Sequence, residues 1–424
     1  MNDSKYDVII VGSGVAGCFC ALQLPNDCKV LLITKKKLED CNSYLAQGGI
    51  CVLKQQDDKD AFINDTLTAG HFYNDKEIVE IMVNESRDII HELETYQVEF
   101  EKKDNEYLYT KEGAHSTSRI LYYKDQTGKE ITTKLIKAVT SKSNIDIKEE
   151  TRLIDLICDN NQCYGIITSN SNKIQSYLGK HIVLATGGVG GLYPHSTNYR
   201  HMVGDGLALA LKHNILLKDD NYVQFHPTSF YEESNDRRFL LSESLRGEGA
   251  RLYNHKKERF VEELLPRDKV VKAIYQQMEL EKQPYVFLSL KDITDVNIEE
   301  RFPTIVAYLK QHGYDPLKEM IPVVPAQHYY MGGIKSDRYA KTSMMNLFAI
   351  GETACNGVHG KNRLASNSLL ESLVFARRAA LYIKNNLTIP FYSKDIEISH
   401  TIYNELAFYK EQVIKTITKR RIKK

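Results

Sequence analysis

The chain has 424 residues, 42% hydrophobic and 26% charged, and its 56 Lys and Arg against 55 Asp and Glu leave a net charge of +1. This is globular composition, long enough for several domains. It excludes a mainly disordered chain and a small disulfide scaffold, and it gives no case for bulk electrostatic binding to nucleic acid or to a membrane surface.

The apolar stretch Val8–Leu24 lacks a cationic lead-in and is broken by Gly12, Ser13, Gly14 and Gly17. It reads as strand, turn and helix start, not as a targeting segment. Asp7–Val11 is the β-branched run of a buried parallel strand. Gly12-Ser-Gly14-Val-Ala-Gly17 follows at once, then an apolar helical stretch to Leu24, then a second strand at Lys29–Ile33. This β-α-β unit with GxGxxG in its turn is a dinucleotide fingerprint: the glycines allow a tight turn, close approach to a pyrophosphate and close helix packing. NAD sites place an acid about 20 residues further on. Here the strand runs into Thr34-Lys35, and the nearest acids, Glu39 and Asp40, come later, which favours FAD over NAD.

Two more strands run into glycines, Lys180–Leu184 toward Gly187-Gly188 and Met344–Ile350 into Gly351-Glu352. They predict one nucleotide domain assembled from distant parts of the chain. The stretch 220–330 changes character, with many prolines and charges, and reads as an insertion. Glu397–Lys424 reads as a polar helical tail whose basic end, Lys419–Lys424, is solvated. No apolar run approaches the ~20 residues of a membrane span. The eight cysteines form no CxxC pair and no zinc spacing, so they read as free thiols of a cytoplasmic protein, with no metal site.

Six further motifs occur in order: Asn42-Ser-Tyr-Leu-Ala-Gln-Gly-Gly-Ile50, His226-Pro-Thr228, Leu241-Ser-Glu-Ser-Leu-Arg-Gly-Glu-Gly249, Pro266-Arg-Asp268, Gln327-His-Tyr329 and Asn362-Arg-Leu-Ala-Ser-Asn-Ser-Leu-Leu-Glu371. With the N-terminal fingerprint they resemble the succinate dehydrogenase/fumarate reductase flavoprotein family, most closely its L-aspartate oxidase branch. The resemblance runs from about residue 5 to 380. It implies an α/β fold: a Rossmann-like FAD-binding domain in two parts (1–219 and 331–384), an inserted α+β capping domain (220–330), and a short helical C-terminal segment (385–424).

The resemblance assigns FAD contacts to Ser13, Gly14, Val15, Ala16 and Lys35. It adds Asn42, Ser43, Tyr44, Leu45, Ala46, Gln47, Gly48 and Gly49, and also Asp205, Glu352, Ser368 and Leu369. Asn42 stands where complex-type dehydrogenases carry the His that bonds FAD covalently, so the cofactor is expected to be non-covalent. Substrate contacts carry over to His226, Ser242 and Glu243 at one end and to His328 and Arg363 at the other, and proton transfer to Arg267 with a Glu243–Arg246 relay. Glu243 and Arg246 are three apart, so on a helix they share a face.

Glu112, in Glu112-Gly-Ala-His115, stands where dicarboxylate enzymes of the family have a neutral Gln-like residue. Aspartate differs from succinate by an α-ammonium, which a carboxylate pairs with better than an amide does. Ala114 replaces a usual Gly in this loop. The implied reaction is FAD-dependent oxidation of L-aspartate to iminoaspartate, with O2 or fumarate reoxidising the flavin. It is the first step of NAD biosynthesis through quinolinate, with quinolinate synthase as a functional partner. A soluble fumarate reductase is the alternative.

Overall fold

The computed structural model describes residues 4–171, 173–234, 236–392, 399 and 401–418. The basic run Lys419–Lys424 lies outside them, as do residues 393–398 and 400.

The chain opens as the fingerprint predicts, with strand β1 (Ser4–Val11), helix α1 (Val15–Gln23) and strand β2 (Val30–Ile33). Val8, Ile9 and Ile10 are fully buried because β1 is central. Its side chains alternate: Val8 and Ile10 enter one apolar core, Ile9 and Val11 the other, as the two-residue strand period requires. Helices α2 (Lys59–Ala69), α3 (Lys76–Thr95) and α4 (Thr127–Thr140) come next, then strands β3 (Ile145–Lys148), β4 (Arg152–Asp159), β5 (Gln162–Asn170) and β6 (Lys173–Leu184).

The last of these strands serves three partners. It lies parallel to β1 along Tyr177–Leu184. Its first half pairs antiparallel with β5, and its second half, Ile182–Leu184, pairs parallel with β11 (Leu347–Ala349). The seven-stranded sheet thus runs β3-β2-β1-β6-β5-β4, with β11 joining at β6. Residues 347–349 close a sheet begun at residue 4, so the nucleotide-binding core is discontinuous in sequence.

The intervening chain supplies α5 (Asp205–Lys212), β7 (Val223–Phe230), α6 (Glu243–Gly247), β8 (Arg251–Tyr253), α7 (Arg267–Glu281), β9 (Val286–Ser289), α8 (Ile298–Arg301), α9 (Pro303–Gln311) and β10 (Ile321–Tyr330). Four of these strands make a separate antiparallel sheet, β7-β10-β9-β8, with its own core around Leu245, Val270, Leu288 and Phe302.

Helix α10 (Asn367–Lys384) then packs beside α1 on one face of the large sheet. Helix α11 (Ile402–Thr418) packs against α5 on the other. The tail is therefore not simply polar: Ile402, Leu406, Val413 and Ile417 are buried, and Phe408 faces out. Among the described residues no helix is long and apolar enough to cross a membrane, and no group of three His, Cys, Asp or Glu could hold a metal. All eight cysteines are free, and seven are buried.

Candidate functional site

A cleft of about 1350 Å³ runs from the first turn to the base of α10. Its floor is built by glycines that admit nothing larger. A Cβ on Gly12 (φ 119°) would lie 2.1 Å from the Ala185 carbonyl oxygen, and one on Gly17 would lie 1.9 Å from that of Gly12. Gly14 caps α1 with no side-chain cap, and no acid occupies the first turn. The helix start is thus open to an anion.

Of the fingerprint residues, Gly12, Ser13, Gly14 and Ala16 line the cleft, and Val15 does not. Ser13 Oγ donates to Leu38 O at 2.9 Å and packs the turn onto the chain after β2. The Val15 backbone N–H donates to Ser43 Oγ at 3.2 Å. Asn42, Ser43, Leu45 and Ala46 line the opposite wall; Tyr44, Gln47, Gly48 and Gly49 lie outside the lined volume. Asn42 accepts the Tyr199 N–H at 3.1 Å. Of the cleft-lining residues, Asn42 Nδ2 and Asn198 Oδ1 are buried with no hydrogen-bond partner. Such orphans are costly unless a ligand satisfies them, so the cradle fits a polar dinucleotide cofactor such as FAD.

Lys35 and Asp205 share one end of the cleft and are ion-paired to each other. Burial would raise the Asp205 pKa, but Lys35 and Lys410 outweigh it and hold it down at about 2. At the middle, Glu352 Oε1 accepts the Tyr330 N–H at 3.0 Å, and burial pushes its carboxyl up to about 7. Gly188 faces it so closely that a Cβ there would sit 2.3 Å from Glu352 Oε1. Ser368 and Leu369 lie in the first turn of α10, which has no acid and no side-chain cap. That turn is a second open helix start.

The residues expected to meet substrate gather beyond this second start. The cleft is lined there by His328 and Arg363; Glu112, His226, Ser242, Glu243, Arg246 and Arg267 are buried behind it and do not line it. Arg267 Nε donates to Glu243 Oε2 at 2.5 Å, and its Nη1 donates to Gln224 Oε1 at 2.9 Å. Arg246 lies one turn along α6 from Glu243, 3.4 Å between charged atoms. Arg363 Nη1 donates to Ser368 Oγ at 2.5 Å, Nε reaches Gln224 Oε1 at 3.4 Å, and its guanidinium sits 4.6 Å over the Tyr329 ring. Glu112 accepts from Ser244 Oγ at 2.7 Å and Ser366 Oγ at 2.6 Å. Ser242 caps α6, accepting the Ser244 N–H at 3.2 Å.

The resemblance implies His226 and His328 at opposite ends of the substrate, and the structure places their rings 5.1 Å apart. The strand register explains this. Gln224 pairs with Tyr329 and Phe225 with Gln327, so His328 is the extra residue of a β-bulge. A bulge re-aims a side chain, and here it turns His328 toward His226 on the neighbouring strand. His226 Nδ1 meets Thr228 O at 3.1 Å and the Thr228 N–H at 3.2 Å, and its Nε2 is a buried atom with no hydrogen-bond partner.

Charge in this cluster is finely divided. Burial, then Arg267, drives His226 and His328 well below the usual histidine range, so both rings are neutral. Burial, then Arg267, also lowers Arg363 to about 10, and it stays cationic at neutral pH. Burial would raise Glu243, but Arg267 and Arg246 hold it below the usual carboxylate range. Burial, then the Glu243 charge, raises Glu112 above that range.

Gln224 is the residue the motifs missed. It is buried between Arg267 and Arg363, accepts from both, and donates to Arg363 O and Asn362 Oδ1 at 2.8 Å each. It stands two residues before His226, which on a regular strand is the same face, so its position was the available signal. Thr197, which meets His328 Nδ1 at 2.7 Å, left no such signal.

A family model described as FAD binding domain matches residues 7–369. The L-aspartate oxidase of Clostridium perfringens is 48% identical over 380 residues, covering 89% of this chain and 87% of that one. That of Clostridium acetobutylicum is 47% identical over 384 residues, covering 90% and 88%. Among solved structures, E. coli quinol fumarate reductase FrdA superposes with a TM-score of 0.85 at 27% identity, covering 98% of this chain and 75% of that one.

Proposed function

The chain belongs to the L-aspartate oxidase family, built on the FAD binding domain, and from that premise we propose that its buried arginine–glutamate cluster acts on L-aspartate to give iminoaspartate, with O2 or fumarate as acceptor. In this reading 1–219 and 331–384 hold FAD, 220–330 caps it, and 385–424 is a helical appendage.

FAD, when bound, supplies the two-electron acceptor chemistry, and the protein supplies position and charge. The Gly12–Gly14 turn and the start of α1 would hold its pyrophosphate. Lys35 and Asp205 would face the adenosine side, and the loop from Asn42 to Gly49 the other wall. Glu352 would take ribityl hydroxyls, and the N–H groups of Ser368 and Leu369 would stabilise negative charge on the ring. Asn42 offers an amide and no nucleophile, so the cofactor is held without a covalent bond.

The observation that carries the substrate choice is Glu112 in the same buried cluster as Arg246, Arg267 and Arg363. Three guanidiniums against Glu112 and Glu243 leave one surplus positive charge, which matches aspartate: two carboxylates and one ammonium. A neutral residue at 112 would leave two, the match for a plain dicarboxylate. His226 Nε2, His328 and Arg363 grip the carboxylates as donors, and Ser242 holds α6 so that Glu243 and Ser244 face inward. Glu112 meets the ammonium.

Arg267 moves the proton. Arginine is a poor acid or base in water, with a pKa above about 12, so it needs partners. Glu243 at Nε and Gln224 at Nη1 fix its plane, and Arg246 continues the relay behind Glu243. Iminoaspartate is unstable, which fits delivery to quinolinate synthase for NAD biosynthesis, and the free thiols fit a cytoplasmic setting.

A soluble fumarate reductase is the second reading, favoured by the likeness to quinol fumarate reductase. An anaerobic assay with L-aspartate and fumarate separates the two. The proposal expects a yellow protein that forms succinate as aspartate is consumed. Succinate formed only with an artificial electron donor, never with aspartate, would leave fumarate reduction as the activity.

A further inference from the structure

Asp205 receives help from behind the cleft. It opens α5 directly after the left-handed Gly204 (φ 71°) and is only 6% exposed. Three cations meet its carboxylate: Lys35, Arg152 at 3.4 Å and Lys410 at 2.5 Å. Lys35, Arg152 and Asp205 line the cleft; Lys410 does not. It reaches in from α11, which the site motifs do not include.

The helix is seated for this contact. Leu406, Val413 and Ile417 join the core that contains Leu207 and Leu209 of α5. Glu405 pairs with Lys212 at 2.6 Å. A Cβ on Gly204 would lie 3.3 Å from Val413 Cγ1, so α11 also buttresses the turn that presents Asp205.

The electrostatic consequence concerns the cofactor. Lys35 follows β2, the strand whose end faces the adenosine ribose in dinucleotide folds. Without Lys410, the buried Asp205 carboxylate would draw its whole neutralisation from Lys35 and Arg152 and tie up both. With Lys410 neutralising Asp205 from the rear, Lys35 and Arg152 present their surplus positive charge to the cleft.

Resting on the FAD reading, we infer that Lys410 is a positioning residue for the cofactor: α11 latches the adenosine-side wall, and FAD affinity depends on that latch. The contact leaves the substrate cluster untouched, so it acts on retention of the cofactor and not on turnover of the loaded enzyme.

The test is FAD binding to the apoprotein of the full chain, followed by flavin fluorescence, in the wild type, Lys410→Met and Lys410→Arg, with apoprotein melting temperature measured alongside. Lys410→Met leaves Asp205 paired with Lys35 and Arg152, so no charge is left uncompensated and apoprotein melting is expected within about 2 °C, while the FAD Kd rises about five- to twenty-fold and Lys410→Arg stays within about twofold of wild type. Lys410→Gln serves the same comparison if the methionine variant does not fold. An unchanged Kd, a rise that arginine does not restore, or a matching fall in apoprotein melting temperature overturns the inference. Failure of the wild type itself to bind FAD overturns the cofactor reading instead.

Discussion

In the proposed function Glu112 carries the substrate choice, and its position makes that choice testable. Glu112→Gln keeps the shape and one acceptor oxygen, with its amide N–H donating to the other serine, but removes the charge. We expect the aspartate KM to rise at least about tenfold, about 1.4 kcal/mol, while fumarate reduction is spared; equal loss of both activities would remove Glu112 from substrate recognition. The pH dependence follows from the direction of its shift. Glu112 is raised above the ordinary carboxylate range by burial and by Glu243, so it takes up a proton as the pH falls through that raised value, and the pair with the ammonium is lost. Aspartate kcat/KM should therefore fall on the acid side above the usual carboxylate pKa, and Glu112→Gln should flatten that limb. Two residues on, Ala114 sits at φ 63°, where a Cβ is unfavourable and glycine is not. Ala114→Gly should raise stability by about 1 kcal/mol, read as a shift in denaturant midpoint at constant slope. The residue scale also marks the limit of motif reading: Arg267, Glu243 and Arg363 stood in motifs, whereas Gln224, which bonds both arginines, was visible only as a neighbour of His226.

At the scale of elements, the proposed function has the two helix starts divide the cofactor's charge. The first start depends on the third glycine, since α1 approaches β1 only because Gly17 has no side chain. Gly17→Ala forces a Cβ into the Gly12 carbonyl at 1.9 Å. Overpacking at backbone of this severity should cost at least about 2 kcal/mol and strip the flavin, measured as the absorbance ratio of the purified protein; a fully loaded variant would show that the turn tolerates the shift. This element was legible because strand, glycines and helix are contiguous in sequence. The bulge at His328 was not. Whether β10 pairs in register with β7 or carries an extra residue depends on the partner strand 100 positions away, and one such residue moves a side chain from one face to the other. Pro227 adds to the irregularity, since it cannot donate to the ladder.

At the scale of the whole molecule, one sheet begun by β1 is completed by β11, and a separate four-stranded sheet stands between them in sequence. Substrate and acceptor share the single cluster between them in the proposed function. Fumarate should thus compete with aspartate, raising its apparent KM without lowering kcat under anaerobic conditions; a purely noncompetitive pattern would place the two at different sites. The sequence by itself determined the dinucleotide turn, the preference for FAD over NAD and the roster of charged residues, because each rests on a local pattern: three glycines, an absent acid, short motifs in order. It could not determine how those charges share a buried space. The neutrality of His226 and His328, the raised carboxyl of Glu112 and the seating of Lys410 on Asp205 all arise from desolvation and from partners brought together across hundreds of residues. Burial sets the cost of each charge and proximity decides which charges survive it, and both are properties of the tertiary structure alone.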